Sequence, residues 1–453
     1  MIRFGVASGM TKPTARAVVA AGAASVVMVL VAGTLLGAVV AWETKLTAGD
    51  GAPRDRFGSG GVSSSLAPSG RTAVIAAHLD DDAGDGSGSA YVFHDDGTGW
   101  AEQAKLTASD GVPKDFFGFA VSISGDTVVV GSFFSDGPAV HSGSAYVYQR
   151  TGERWTEEAK LVAADGAAGD LFGISVAISG DALVVGARDH DAAAPNSGAA
   201  YVFRFDGTGW TEEAELVASD GAADDLLGTR VAMDGDVVVA GAPTADVGGG
   251  DSGAAYVFRF DGTSWTQEAK LSAPGGGTAG DRFGSSVAIS GDTAVVGAPH
   301  EGPGGNAAKS AFAGFGGTER GAAYVFRFDG TRWRHEAKLI SSDPKPKTRF
   351  GGSVTISGST IAVGTRSGTR RKATGEVYVF QRTGPVWSEV LRLRASDGEH
   401  GDGFGGSASI LENTVFVGAA GDDDLGSAAG AVYVYELSSW PLRRYGETDT
   451  SAR

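Results

Sequence analysis

Trp155-Thr-Glu-Glu-Ala-Lys-Leu161, Asp165-Gly166, Asp170-Leu-Phe172-Gly173, Val176-Ala-Ile178-Ser-Gly-Asp181, Val184-Val-Gly186-Ala187, Gly198-Ala-Ala-Tyr201-Val-Phe203: this series of short phrases decides the fold, because it recurs along almost the whole chain. Each copy opens at a tryptophan: Trp42, Trp100, Trp155, Trp210, Trp265, Trp333, Trp387 and finally Trp440. The intervals between them are mostly 53 to 58 residues and mark out seven units. A period of that size signals a repeat architecture in which stacked copies share one core.

Within a unit the phrases read as strands. Strand A is the Val-x-Ile segment (Val121/Ile123, Val176/Ile178, Val287/Ile289). Strand B is the β-branched run ending in Gly131, Gly186, Gly241, Gly297, Gly364 or Gly418. Strand C is the aromatic triplet, from Tyr91-Val-Phe93 to Tyr433-Val-Tyr435. Strand D starts at the tryptophan and closes in a Lys-Leu motif whose leucine recurs at Leu106, Leu161, Leu216, Leu271, Leu339 and Leu393. Alternation with β-branched and aromatic enrichment makes these strands, and Ser-Gly-Asp and Asp-Gly-Thr between them are hairpin turns. The 72 glycines supply the turns that about 28 short strands need. An isolated four-stranded meander leaves both faces wet, whereas seven stacked radially bury them. The expected fold is all-β, a seven-bladed β-propeller of four-stranded antiparallel blades over residues 40–440; a β-solenoid is the rival, and tight hairpins argue against it.

The Phe-Gly pairs ahead of strand A (Phe57-Gly58, Phe117-Gly118, Phe172-Gly173, Phe283-Gly284, Phe350-Gly351, Phe404-Gly405), with Gly241-Ala-Pro243 and Gly297-Ala-Pro299 closing strand B, resemble the FG-GAP repeat. That repeat builds the seven-bladed propeller of integrin α subunits and of many microbial surface proteins, and the resemblance implies adhesion or ligand recognition. The fourth unit has Leu227-Gly228 in place of Phe-Gly, and the first has Ala76 where the others end strand B in Gly. Integrin-type calcium loops of the Asp-x-Asp-x-Asp-Gly kind are not carried over, because the A–B hairpins are cut down to Ser124–Asp126, Ser179–Asp181 and Ser290–Asp292.

An extra strand D copy, Lys45-Leu46, precedes the first A, B and C strands, while the last unit stops at strand C. The N-terminal strand is therefore expected to complete the last blade and remove an open edge; the alternative starts a separate strand at Trp440. Arg3, Lys12 and Arg16 precede an uncharged stretch from Ala17 to Ala41. Residues 1–39 read as a signal peptide or an N-terminal membrane anchor, either of which places the rest outside the cytoplasm. Residues 441–453 read as a disordered tail.

With 54 acidic and 37 basic residues the net charge is −17, which opposes nucleic-acid binding. The absence of cysteine excludes disulfides and thiolate chemistry. No nucleophile-elbow, zinc-protease or phosphate-loop motif is present, so the expectation is a binding protein and not an enzyme. The tryptophans and aromatic triplets recur in every unit and are expected to pack blade on blade.

The turns A–B and C–D share one rim and are uniformly tight, whereas the B–C and D–A loops share the other and vary. Variable loops on a rigid scaffold are where recognition is expected. Asp-Gly-x-x-x-Asp in the D–A loops (Asp50/Asp55, Asp110/Asp115, Asp165/Asp170, Asp220/Asp225, Asp397/Asp402) reads as turn-fixing, with calcium the alternative. Asp80, Asp81, Asp82 and Asp85, and Asp422, Asp423 and Asp424, are acidic B–C clusters that read as solvated loops or as candidate Ca²⁺ ligands; no other cofactor is implied. His78, His141, His190 and His300 fall in B–C loops of different units, which argues against one shared metal. The long B–C loop from Pro299 to Arg320 contains Phe312 and Phe315. The sixth unit adds Lys345, Lys347 and Arg349, and then Arg366, Arg370, Arg371 and Lys372. Between Trp333 and Val386 ten Lys/Arg face three acids, +7 inside a −17 chain. These residues are the candidate site for an anionic partner, a surface protein or an anionic polysaccharide.

Overall fold

The computed structural model describes residues 27–30, 39–59, 62–67, 70–302, 319–343, 348–365 and 374–439. It is a seven-bladed propeller. In blades 1 to 3, strands A to D are Val62–Ala67, Gly70–Ala77, Ser89–Asp95 and Trp100–Leu106; Ala120–Ser124, Thr127–Ser132, Ser144–Thr151 and Arg154–Leu161; Phe172–Ser179, Ala182–Ala187, Ala199–Phe205 and Trp210–Leu216. Blades 4 to 6 are Arg230–Asp234, Val237–Ala242, Ala254–Phe260 and Trp265–Leu271; Ser286–Ser290, Thr293–Ala298, Ala322–Phe328 and Trp333–Leu339; Phe350–Ser357, Thr360–Thr365, Val377–Thr383 and Val386–Leu393. Blade 7 takes Ser407–Leu411, Thr414–Ala419 and Ala431–Ser439 from the end of the chain and Val39–Leu46 from its beginning, paired Leu46↔Val432 through Val39↔Ser439. The closing strand is thus the N-terminal one, as its orphaned Lys-Leu motif implies. A short strand, Val27–Leu30, adds antiparallel to its outer edge, so this sheet alone has five strands. The rest of the apolar N-terminal stretch, and residues 440–453, lie outside the described residues.

The hydrophobic core is divided into slabs between neighbouring blades. Between blades 2 and 3, for example, Val129, Val147 and Leu161 meet Phe172, Val185 and Tyr201. The phenylalanine of each Phe-Gly pair is fully buried and stands edge-on to the strand C aromatics of its own blade, Phe172 lying 5.6 Å from Tyr201 and 6.0 Å from Phe203. Such edge contacts add to what burying the rings contributes. Leu227 is equally buried against Tyr256 and Phe258, so a branched aliphatic side chain serves where the motif lacks its ring.

The backbone at the Phe-Gly pair couples the blades directly. At six of the seven positions the phenylalanine, or Leu227, makes a parallel bridge to the glycine preceding strand C of the previous blade, as in Gly143↔Phe172, Gly198↔Leu227, Gly253↔Phe283 and, across the closure, Phe57↔Gly430. Gly173 has φ +94°, and a Cβ there would lie 2.3 Å from the Ser144 carbonyl oxygen.

Strand D carries a β-bulge opposite strand C in blades 1 to 6. Its extra residue is Gln103, Glu158, Glu213, Glu268 or Glu336 in the first five, and each accepts the indole N–H of the next tryptophan: Trp155, Trp210, Trp265, Trp333 and Trp387. The tryptophans therefore stitch blades together. The closing strand Val39–Leu46 pairs without a bulge. Across that seam Trp100 has no such acceptor among the described residues and instead sits edge-on to Phe416 at 5.1 Å, with Arg71 over its ring.

Two outcomes follow for stability. Gly173→Ala should cost about 3 kcal/mol or more, since strain and a backbone clash combine. Gly180→Ala, at φ +62° with nothing within 4 Å, should cost only about 1 kcal/mol. Denaturant unfolding of both variants checks the contrast. Deleting Val39–Leu46 should lower the melting temperature and cause aggregation through the opened edge of blade 7, read by scanning calorimetry and light scattering.

Candidate functional site

One rim is closed off by its own turns. In the C–D hairpins Asp206 accepts the Thr208 and Gly209 N–H groups at 2.8 and 3.0 Å and the Thr208 hydroxyl at 2.6 Å, and Asp261 and Asp329 do the same in blades 4 and 5. These are Asx turns with their polar groups already satisfied.

The opposite rim is built on a repeated charge pattern. The second aspartate of each Asp-Gly-x-x-x-Asp is buried and fixes its loop by accepting a backbone N–H three residues earlier: Ala52→Asp55, Val112→Asp115, Ala167→Asp170, Ala222→Asp225 and Glu399→Asp402. The first accepts the hydroxyl of the strand C tyrosine: Tyr146 on Asp110 at 2.7 Å, Tyr201 on Asp165 at 2.9 Å, Tyr256 on Asp220 at 2.9 Å. The basic residue of strand D then reaches the same carboxylate, Lys160 at 2.7 Å and Lys270 at 2.6 Å. Burial first, and these carboxylates next, push the tyrosine phenols far above their usual pKa, so they remain donors.

The acidic B–C clusters belong to this pattern. In blade 1 Lys105 Nζ lies 2.8 Å from Asp50, 2.9 Å from buried Asp80 and against Asp82, and Tyr91 donates to both Asp50 and Asp80 at 2.7 Å. In blade 7 Lys45 Nζ meets Asp397, Asp422 and Asp424 at 3.0, 2.7 and 2.6 Å, with Tyr433 donating to Asp397 and Asp422. The positive charge on which these carboxylates converge is an ammonium, and calcium there would have to displace it. Burial alone lowers the pKa of each lysine, but the carboxylates outweigh it and raise both well above the usual value. Asp81 and Asp85 stand outside the cluster, exposed, their carbonyls accepting the Gly84 and Lys114 N–H groups. Asp423 faces the central channel instead.

Blade 3 breaks the pattern. Its strand D ends Glu215-Leu216, and His190 of its B–C loop lies among Asp165, Asp170 and Glu215. The substitution is legible in the sequence as Glu-Ala-Glu-Leu216 where blade 2 has Glu-Ala-Lys-Leu161, although the shared leucine masks it.

The central channel opens on this rim as a cavity of about 730 Å³, lined in part by Arg56, His78, Phe119, Arg230, Asp402 and Asp423. Half-buried His78 accepts or donates to Ser59 Oγ at 2.7 Å. Its pKa is pushed down to about 4, by burial first and by Arg56 second. Beside it, Phe116, Phe119, Phe133 and Phe134 form a half-buried aromatic cluster. Phe119 is 5.4 Å from His78 and 4.5 Å from Phe133, Phe116 stacks on Phe133 at 5.7 Å, and His141 stacks on Phe134 at 4.0 Å. Motif reading passed over these rings because they occur in one blade only.

Of the basic group in the sixth unit, the structure places Arg349 3.6 Å from buried Glu319 and Arg382 2.9 Å from Glu336, with Arg334 on Asp329 and Lys338 on Glu301. Every described member of that group faces a carboxylate. Phe312, Phe315, Lys345, Lys347, Arg366, Arg370, Arg371 and Lys372 lie outside the described residues. Among the described residues no helix is long and apolar enough to cross a membrane.

The family model of the FG-GAP repeat matches residues 41–93, 100–148, 155–203, 210–258, 265–326, 333–380 and 387–435, well over half of the chain. This chain belongs to the FG-GAP repeat family. No curated protein matches it.

Replacing Lys105 by Met should strand buried Asp80 and cost about 2–4 kcal/mol. Millimolar calcium should recover part of that loss in the variant and leave the wild-type melting curve in place, a comparison that differential scanning calorimetry makes directly. His78 should stay neutral down to about pH 4. Because its folded pKa lies below the unfolded value, its contribution to stability is complete above about pH 6.5 and is lost as pH falls towards 4; imidazole chemical shifts against pH test this.

Proposed function

We propose, taking membership of the FG-GAP repeat family as the premise, that this chain is a non-enzymatic binding protein, exported and held at or released from the cell surface. It recognises a macromolecular partner through the rim of B–C and D–A loops. The observation that carries this reading is the aromatic cluster of blade 2 at the channel mouth. Phe133-Phe134 occupies positions held by Arg188-Asp189 in blade 3 and Pro243-Thr244 in blade 4, so the blade itself does not require aromatic rings there. Half-buried rings on a rigid loop, with Val112 and Val140 exposed in adjoining loops, supply apolar contact area of the kind that dominates recognition. The basic residues in the loops of blades 5 and 6 add attraction for an anionic surface, a protein segment or an acidic polysaccharide. Exposed charge contacts contribute about 0–1 kcal/mol each, so that part acts collectively and weakens with salt.

The test compares the full chain, a Phe116→Ser/Phe133→Ser/Phe134→Ser variant and an Arg366→Ser/Arg370→Ser/Arg371→Ser/Lys372→Ser variant on arrays of acidic glycans and on fractionated cell-surface extracts. The aromatic variant should lose at least tenfold in affinity (about 1.4 kcal/mol), and the basic variant should lose the salt dependence. Retention of both by both variants removes the rim from consideration. Turnover of any arrayed glycan moves the assignment to carbohydrate processing.

A further inference from the structure

Blade 3 reverses the charge that strand D carries in the other six blades. Its strand D ends in Glu215, where the others carry Lys105, Lys160, Lys270, Lys338, Arg392 and Lys45. Three residues beyond strand B, His190 takes the position held by Asp80 in blade 1, Glu301 in blade 5 and Asp422 in blade 7. A cation has been replaced by a carboxylate and, relative to blades 1, 5 and 7, a carboxylate by an imidazole; blades 2 and 4 carry Ser135 and Ala245 at that position.

The resulting geometry is that of a ligand set. His190 is 8% exposed, and its Nδ1 lies 2.8 Å from Asp170 Oδ2, a proper hydrogen bond to a carboxylate that the Ala167 N–H already holds in place. That bond puts a proton on Nδ1 and turns Nε2 toward solvent-facing Asp165 and Glu215. Nε2 is 3.8 Å from Asp165 Oδ2 and 3.5 Å from Glu215 Oε1, beyond the usual range for N–H···O bonds of about 2.7–3.2 Å. A tetrahedral metal with ligands at about 2.0–2.2 Å spaces neighbouring ligand atoms roughly 3.4 Å apart. The three donor groups all lie within 4.8 Å of one another. Asp165 is itself oriented by the Tyr201 hydroxyl at 2.9 Å. A histidine whose far nitrogen is held by a buried carboxylate is the usual outer-shell arrangement of a metal-bound imidazole.

We propose that Asp165, His190 and Glu215 bind one divalent transition-metal ion, zinc being the best match, through His190 Nε2 and one carboxylate oxygen from each acid. The fourth position is open to water. An imidazole among two carboxylates selects zinc over calcium, which takes six to eight oxygens. The site lies on the loop rim and lines no part of the channel, and it does not depend on the binding role proposed for the aromatic cluster.

The metal competes with a proton for Nε2. In the metal-free chain the Glu215 carboxylate does most to raise the His190 pKa, burial opposes it, and Asp170 and Asp165 add to the rise, leaving it at about 9. The titratable groups facing the ring are Asp165 and Asp170 from the D–A loop, Tyr201 from strand C and Glu215 from strand D.

The experiment is isothermal titration of the metal-free full chain with zinc chloride, and separately with calcium chloride. Wild type should take up one zinc per chain and melt at a higher temperature with zinc than without. Glu215→Lys restores the residue type of the other blades, so the variant is expected to fold, and it should lose about 100-fold or more in zinc affinity. His190→Gln should match that loss. Undiminished zinc binding by Glu215→Lys, or failure of wild type to take up one zinc per chain, overturns the site and leaves His190 paired with its carboxylates. Calcium binding equal to zinc at the same residues overturns the assignment of the metal class.

Discussion

The close approach of backbone to backbone between successive blades is the constraint on which the structure depends. Strand B of one blade and the Phe-Gly pair of the next lie so near that a Cβ on Gly131 would fall 2.0 Å from the Gly173 carbonyl oxygen, on Gly186 2.0 Å from that of Gly228, and on Gly241 2.1 Å from that of Gly284. Two glycines per unit are therefore needed at this point, one for space and one for space and a positive φ, and the glycine before strand C, such as Gly143 at φ +87°, is a third. Ala76 shows the constraint by relaxing it. Where blade 1 carries this alanine, a Cβ on Gly118 would lie 3.6 Å from the Ala77 nitrogen, against 3.1 and 3.2 Å at the matching positions of Gly173 and Gly228. The neighbouring backbones have moved apart by a few tenths of an ångström to admit one methyl group. Because the blades touch at this point, phenylalanine fits beneath the tyrosine, the tryptophan indole reaches the bulged carboxylate, and strand A lines the channel.

The repeat in the sequence and the blade in space are offset. Each family match begins in the outer strand of one blade and ends in strand C of the next, so successive units are covalently interlocked. The offset leaves one strand over at the start of the chain and one vacancy at the end, and the ring closes when one fills the other. Closure has a local signature. Having no bulge, the N-terminal strand offers Trp100 no indole acceptor, and Arg71 and Phe416 cover the ring there instead. Between blades 6 and 7 Glu43 still accepts the Ser396 hydroxyl at 2.6 Å and the Tyr435 hydroxyl at 2.7 Å, so the N-terminal strand keeps the polar contacts of an outer strand.

On the loop rim, the recurring aspartate, tyrosine and lysine serve the fold, and departures from them distinguish the blades. The acidic clusters of blades 1 and 7 look like cation sites only until the lysine of the outer strand is included. Blade 3 lacks that lysine, and blade 2 replaces polar loop residues by aromatic ones. A repeat protein can afford such changes one blade at a time, because each blade contacts only its neighbours.

Periodicity alone determined the architecture: the tryptophan spacing, the Phe-Gly pairs, the glycine ending strand B and the orphaned Lys45-Leu46 specify strand order, blade number and closure. They could do so because those constraints are local and repeated, and each copy confirms the last. The sequence also indicated which rim carries variable loops. Tertiary structure alone decided what the charges do. Asp80 and Lys105 are 25 residues apart, Lys45 and Asp422 are nearly a chain length apart, and Asp165, His190 and Glu215 come from a loop, a second loop and the outer strand of one blade. Whether a carboxylate meets an ammonium, an imidazole or water depends on which side chains the ring brings together. That depends on distances of a few ångströms between segments whose separation along the chain carries no such information.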